Sequence, residues 1–170
     1  TDFPFQVNDD LASYGELAAQ KAMHAVLVEP DKHKDLYTVL SPYLAHGVLS
    51  PAQAFHFFTA HQNTQNKKKL SLVMEGLLWR DYYRFMLKKF TNCYFKSSEQ
   101  REDDAQAIES FVDGKTEDSE INSLIDRLNN EGMITRAERE YLALYFIHEL
   151  KQPWLTGAAF FEKQLVDYAP

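Results

Sequence analysis

Between Leu70 and Phe90 the apolar residues Leu70, Val73, Met74, Leu77, Leu78, Tyr82, Phe85 and Met86 recur at intervals of three and four. That period matches an α-helix and no strand, so the segment predicts a long amphipathic helix across the middle of the chain. Arg80, Arg84 and Lys88 follow one another at spacings of four and share its polar face. Any fold for this chain must accommodate that helix, and no segment elsewhere shows the alternation and turn signals of strands. The predicted class is all-α, a bundle of about seven helices in a single domain over residues 1–170. With 45% hydrophobic and 14% aromatic residues among 170, and only six Gly and six Pro, a sizeable core can form and low-complexity classes are excluded.

The other elements are legible from caps and breakers. Leu11, Tyr14, Leu17, Ala18 and Ala22 after Asn8 predict a first helix to about Val28, broken at Glu29-Pro30, so that residues 1–34 hold a helix and a linker. Leu36 to His46 predicts a short buried helix stopped by Gly47. Ser50-Pro-Ala-Gln53 has the pattern of a capping box with Pro at the first helical position, opening a helix that carries Ala54, Phe55, Phe57 and Phe58. Helices are predicted near 102–112 and 119–129, the second ended by Gly132. Thr135-Arg-Ala-Glu138 is another capping box, and Pro153 interrupts the helix it opens. A last helix is predicted over about Gly157 to Tyr168.

Charge is unevenly spread within the net −7. Residues 61–98 carry eight cations against two anions, whereas residues 99–149 carry fourteen anions against five cations. The basic middle is either a patch for phosphate groups or a solvated face that its acidic neighbours neutralise. Cys93 is the single cysteine, which excludes an intramolecular disulfide and a cysteine-based zinc site. The six histidines form no HExxH spacing, and a metal site is not expected. Phosphate-binding P-loop, GxGxxG and GxSxG patterns are absent as well. No apolar run reaches the roughly 18 residues of a membrane span, and the N-terminal residues lack signal-peptide regions, so a soluble, cytoplasmic protein is expected. Tyr141, Tyr145 and His148 share a helix side that could stack a ligand, although core packing is the commoner role of such a face.

Four ordered segments carry a resemblance: Thr38-Val-Leu-Ser-Pro-Tyr-Leu44, Gly47-Val-Leu-Ser-Pro51, Leu77-Leu-Trp-Arg-Asp-Tyr-Tyr-Arg-Phe85, and Trp154-Leu-Thr-Gly-Ala-Ala-Phe-Phe-Glu162 with Leu165-Val-Asp-Tyr168. Together, over residues 35–170, they resemble the FAD-binding domain of the photolyase/cryptochrome family, in wording most like the cryptochrome DASH branch. The resemblance implies a flavin or related nucleotide as cofactor and, through the basic helix, contact with DNA. Thr38, Leu40 and Ser41 match the segment that wraps the FAD phosphates, although Ser41 before Pro42 also suits simple capping. Arg80 matches an arginine near the flavin. Arg139 and Asp167 match a pair beside the flavin ring, where an ordinary interhelical ion pair is the other reading. Trp79 matches the tryptophan that packs on the photolyase substrate, with Arg84 and Lys88 as further DNA contacts; without the resemblance Trp79 would be assigned to the core.

Departures from the family pattern accompany these matches. A substrate-contacting glutamate falls at Gly76, with Glu75 one position off, which rotates a helical side chain by about 100°. The family's asparagine near flavin and substrate falls at Arg136, the adjacent arginine at Ala137, and a second aspartate at Ala169. The chain stops at Pro170, before the segment that completes the pocket in the family, and only Trp154 remains of the photoreduction relay. No antenna-pigment domain is expected within these 170 residues. These departures predict a reduced FAD-domain homologue without a complete photolyase apparatus. The alternative is a non-catalytic helical interaction module, in which a homodimer or partner chain covers the aromatics at the C-terminal edge.

Overall fold

The computed structural model describes residues 15–28, 35–91, 95–96 and 102–169. Among these residues the chain forms eight α-helices and one π turn with no strand, so the all-α expectation holds with one helix more than the seven anticipated. Asn8, Leu11, Tyr14, the Glu29-Pro30 break and Cys93 lie outside the described residues. The fold divides into two compact units, Thr1–Met74 and Glu75–Pro170.

In the first unit α1 (Glu16–Val28) buries Ala19, Ala22, Met23 and Val26. Leu17, expected on the inward stripe, is 74% exposed, because the face that packs on the next helix is offset and carries the small Ala19 and Ala22. That next helix, α2 (Leu36–Ala45), is capped by Asp35. Asp35 Oδ1 accepts the Tyr37 amide at 2.9 Å and the Thr38 amide at 3.4 Å, and its Oδ2 accepts the Thr38 hydroxyl at 2.9 Å. Pro42 stands inside α2, where its missing N–H cannot bond the carbonyl four residues back. The Ser41 hydroxyl donates to that same carbonyl, Thr38 O, at 2.9 Å. Ser41 therefore repairs a proline defect within the helix; it is not the cap expected before Pro42. Gly47, at φ 72°, follows the helix end at His46.

The predicted box at Ser50 does not form. Ser50 is extended and Pro51 opens α3 (Pro51–Ala60), but no side-chain cap bond is made, since Ser50, Ala52 and Gln53 all face water, which can serve their polar groups. Of Ala54, Phe55, Phe57 and Phe58, only Ala54 and Phe58 are buried. The long helix α4 (Lys67–Lys89) starts three residues before Leu70 because Asn63 Oδ1 accepts the Gln65 and Asn66 amides and folds the preceding residues into a turn. Its residues up to Met74 bury Leu70 and Val73 in the first unit.

The second unit contains the rest of α4, then α5 (Ala105–Val112), α6 (Ser119–Glu131), α7 (Arg136–Leu144), a π turn (Tyr145–Glu149) and α8 (Trp154–Gln164). Asp104 and Asp118 cap α5 and α6 through two amides each, worth about 1 kcal/mol apiece. Thr135 and Glu138 form the predicted capping box on α7 in full. The core is Phe111, Ile121, Ile125, Leu128, Ile134, Leu142, Phe146 and Phe160. Gly132 ends α6 at φ 68° as predicted. The last helix begins directly after Pro153 and stops at Gln164, four residues short of the predicted end. Leu165 is already extended there, and the Val166 amide donates to Gly132 O at 3.0 Å.

Glu138 also pairs with Arg127, tying α6 to α7. Burial alone would raise its pKa, but the Arg127 bond, the Thr135 amide and hydroxyl, and the Arg127 charge together lower it from 4.5 to about 2. A carboxyl with a depressed folded-state pKa adds stability above its unfolded pKa and loses it as pH falls through the folded value. With Arg127 a third exposed, screening reduces the contribution to about 1–2 kcal/mol. The unfolding free energy from urea denaturation should therefore fall between about pH 5 and pH 2 by that amount in the native chain, and the Glu138→Gln variant should show a correspondingly flatter profile.

Candidate functional site

In the first unit the three matched residues lie within α2 and do not flank its start. Leu40 is wholly buried, with its side chain in the core. The Thr38 hydroxyl donates to Asp35 and the Ser41 hydroxyl to Thr38 O. The carboxylate of Asp35 already occupies the first amides of the helix, the place where an incoming phosphate would otherwise bind. No motif in the sequence pointed to Asp35, although an Asp before an apolar helix is an ordinary capping signal.

In the second unit Arg139 and Asp167 meet. Arg139 Nη2 donates to both carboxylate oxygens, at 2.9 and 2.8 Å, while its Nε donates to Ile134 O at 3.0 Å. Two features place the pair: the capping box fixes the α7 end that carries Arg139, and the Val166–Gly132 bond carries Asp167 inward past the end of α8. The Asp167 side chain is 1% exposed and that of Arg139 26%. An exposed interhelical ion pair is thus not what forms here; the anion is interior, and Nη1 takes no part in these three bonds. A buried pair of this kind is weak evidence for stability and better evidence for a fixed cation held in one orientation.

Trp79 is 39% exposed, so the assignment to the core from sequence alone is overturned. Its Nε1–H donates to Glu75 Oε1 at 3.3 Å, which gives the displaced glutamate a role within the helix. Tyr83 stacks on the indole with centroids 5.8 Å apart, Tyr82 meets it edge-on at 5.6 Å, and the Arg136 guanidinium lies over the ring at 5.8 Å. At an exposed site such a cation–π contact contributes about 0.5–1 kcal/mol. Of the basic stripe, Arg84 and Lys88 face solvent, but the Arg80 side chain is largely buried and bonded to Asp81 at 3.4 Å, so the three cations do not form one uniform face. Leu78 at 66% and Phe85 at 69% are exposed on the same helix, which is amphipathic only in its first half. Tyr141 and His148 are exposed too, while Tyr145 packs on the core, so these three do not act as one core face. Among the described residues, no three His, Cys, Asp or Glu side chains are grouped to hold a metal, and no helix is long and apolar enough to cross a membrane.

Residues 73–170 match the family model described as the FAD binding domain of DNA photolyase. The chain belongs to the photolyase/cryptochrome family. Among curated relatives it is 30% identical to cryptochrome DASH of Idiomarina loihiensis over 77% of this chain and 31% of that protein. It is 29% identical to the chloroplastic/mitochondrial cryptochrome DASH of Oryza sativa subsp. japonica over 92% of this chain and 30% of that one. The chain therefore spans about a third of the length of the curated relatives it matches. Synechocystis sp. PCC6803 cryptochrome superposes with a TM-score of 0.81 at 25% identity, covering 91% of this chain and 36% of that one. A class III photolyase from Agrobacterium tumefaciens shares the fold, with a TM-score of 0.80 at 21% identity over 98% and 38% of the two chains. The photolyase/cryptochrome match thus extends beyond the family model into the first unit.

Proposed function

We propose that this FAD-domain homologue binds a flavin, with the Arg139–Asp167 pair as the group that meets its ring. A bound flavin supplies light- or redox-driven electron transfer. The observation that carries the reading is a guanidinium held by two bonds to a buried carboxylate and a third to Ile134 O, which offers a fixed positive charge to an electron-rich ring edge without reorganisation. The second unit thus fits the cofactor. Taken by itself, the first unit is a poor phosphate site, because the Thr38 and Ser41 hydroxyls are engaged and Asp35 stands at the start of α2.

Contact with DNA bases at Trp79, beside the exposed Arg84 and Lys88, is part of the same proposal. Exposed aromatics next to cations suit single-stranded or extruded bases.

The test is titration with FAD followed by flavin fluorescence, using the chain and an Arg139→Gln/Asp167→Asn double variant, which removes both charges so that neither is stranded in the interior. The variant should bind at least about tenfold more weakly. Equal affinity would remove the pair from the site. A native chain that leaves FAD fluorescence unchanged and sediments as a dimer would favour the second reading, a helix surface covered by a partner copy, for which the exposed Leu78, Phe85 and Phe95 speak.

A further inference from the structure

The Trp79 platform is unusual in being exposed and yet already engaged. The indole N–H is held by Glu75 and Tyr83 stacks beside it, so the ring has a fixed orientation, and Arg136 from the start of α7 lies over it. Arg136 does little for its own helix there. It is the first residue after the Thr135 cap, at the positive end of the α7 dipole, where a cation is disfavoured. Its side chain is exposed, with the indole beneath the guanidinium.

We infer that Arg136 is a specificity-determining residue of this platform, selecting ring-bearing anions, that is nucleotides with their phosphates, over neutral nucleosides. The inference rests on the reading above that Trp79 stacks bases. A neutral ring that settles on the indole must displace the guanidinium and offers it nothing in return. A ring that carries a phosphate lets the guanidinium leave the π face for two parallel N–H···O bonds, so the cation keeps a partner throughout. Of the other charged groups around the platform, Glu75 keeps its negative charge at the indole N–H and alone opposes an anion, whereas Asp81 is paired with Arg80, and Arg84 and Lys88 continue as cations along α4. A single strand therefore meets an aromatic surface with positive charge on its α7 side and along its own helix.

The experiment uses intrinsic fluorescence in a Trp154→Phe background, in which Trp79 is the single tryptophan, after circular dichroism has established that the variant is folded. Thymidine and thymidine 5′-monophosphate are titrated separately against this protein and against the same protein carrying Arg136→Gln or Arg136→Lys. The monophosphate should bind at least about tenfold tighter than thymidine, Arg136→Gln should shrink that ratio to about twofold or less, and Arg136→Lys should restore it in part. Raising salt should weaken the monophosphate and leave thymidine unchanged. Equal quenching by the two ligands in the Arg136 protein, or a ratio that survives Arg136→Gln, overturns the inference and leaves base stacking standing. If neither ligand quenches Trp79 in any of the proteins, the base-stacking reading falls and the inference falls with it. The flavin titration is read out separately and is unaffected by either result.

Discussion

Arg139→Ala is expected to destabilise the Glu75–Pro170 unit by about 3 kcal/mol, whereas Asp167→Ala should cost only about 1–2 kcal/mol, although each removes one partner of the same pair. The asymmetry follows from burial. Removing the guanidinium takes two charge-assisted bonds from a carboxylate that is 1% exposed, and it also deprives Ile134 O of its donor. Removing the carboxylate strands a cation that is 26% exposed and still bonded to Ile134 O. Water can reach the second defect and not the first. Urea unfolding of both variants measures this; equal costs would refute the account from burial.

Gly132→Ala is the second substitution with a large expected effect, about 2–4 kcal/mol, from two sources that can be separated. The residue sits at φ 68°, where an L side chain is strained by roughly 1 kcal/mol. A Cβ there would also stand 2.6 Å from Val166 Cγ1 and 3.3 Å from Gln164 O, so Val166 must move. Because the Val166 amide is bonded to Gly132 O, that movement displaces Asp167 next to it. The double variant Gly132→Ala/Val166→Ala should recover the steric share, less the packing that Val166 itself loses, and keep the conformational one. A double-mutant cycle with no coupling between the two positions would refute this account. The same cycle on FAD affinity connects a helix cap to the proposed site: Gly132→Ala should weaken binding more than its distance in sequence from Arg139 suggests.

The sequence made the helices legible wherever the signal was a local hydrogen bond. Thr135 and Glu138 are three apart and form their box, and Gly132 and Gly47 stand where left-handed backbone is needed. It was less informative where water competes. Ser50 and Gln53 have the box spacing but are exposed, and their bonds are not made. Periodicity also overreached: the apolar stripe of α4 continues through Tyr82 and Phe85, yet burial ends at Leu77. Period alone measures which residues share a face, not whether another element covers it.

Of the site, Arg139 and Asp167 were named correctly as partners from the family resemblance, but their burial was not legible. It depends on the extended residues after α8, which the sequence reading had placed in a longer helix. The contact of Arg136 with Trp79 joins residues 57 positions apart, and no local pattern announces it. The bond of Ser41 to Thr38 O was hidden for another reason. The predicted helix from Leu36 to His46 already enclosed Pro42, but a Ser before a Pro also suits a cap, and only the observed bond shows that Ser41 serves the carbonyl the proline leaves open.

The π turn at Tyr145–Glu149 has a consequence for how this chain can change in length. Its wider winding takes up one residue more than an α-helix would over the same rise, with the Leu150 amide bonded to Tyr145 O five residues back. Everything before it, including Leu142, and everything after it, including the α8 residues that pack on the core, keeps its orientation because the surplus is absorbed there. A one-residue deletion elsewhere in α7 would turn the residues wound directly after it by about 100° and misdirect Phe146. A deletion inside the turn would simply leave plain α-helix with both flanks in register. Relatives that differ from this chain by one residue should carry the gap at this turn, and alignments of the family are best anchored on either side of it.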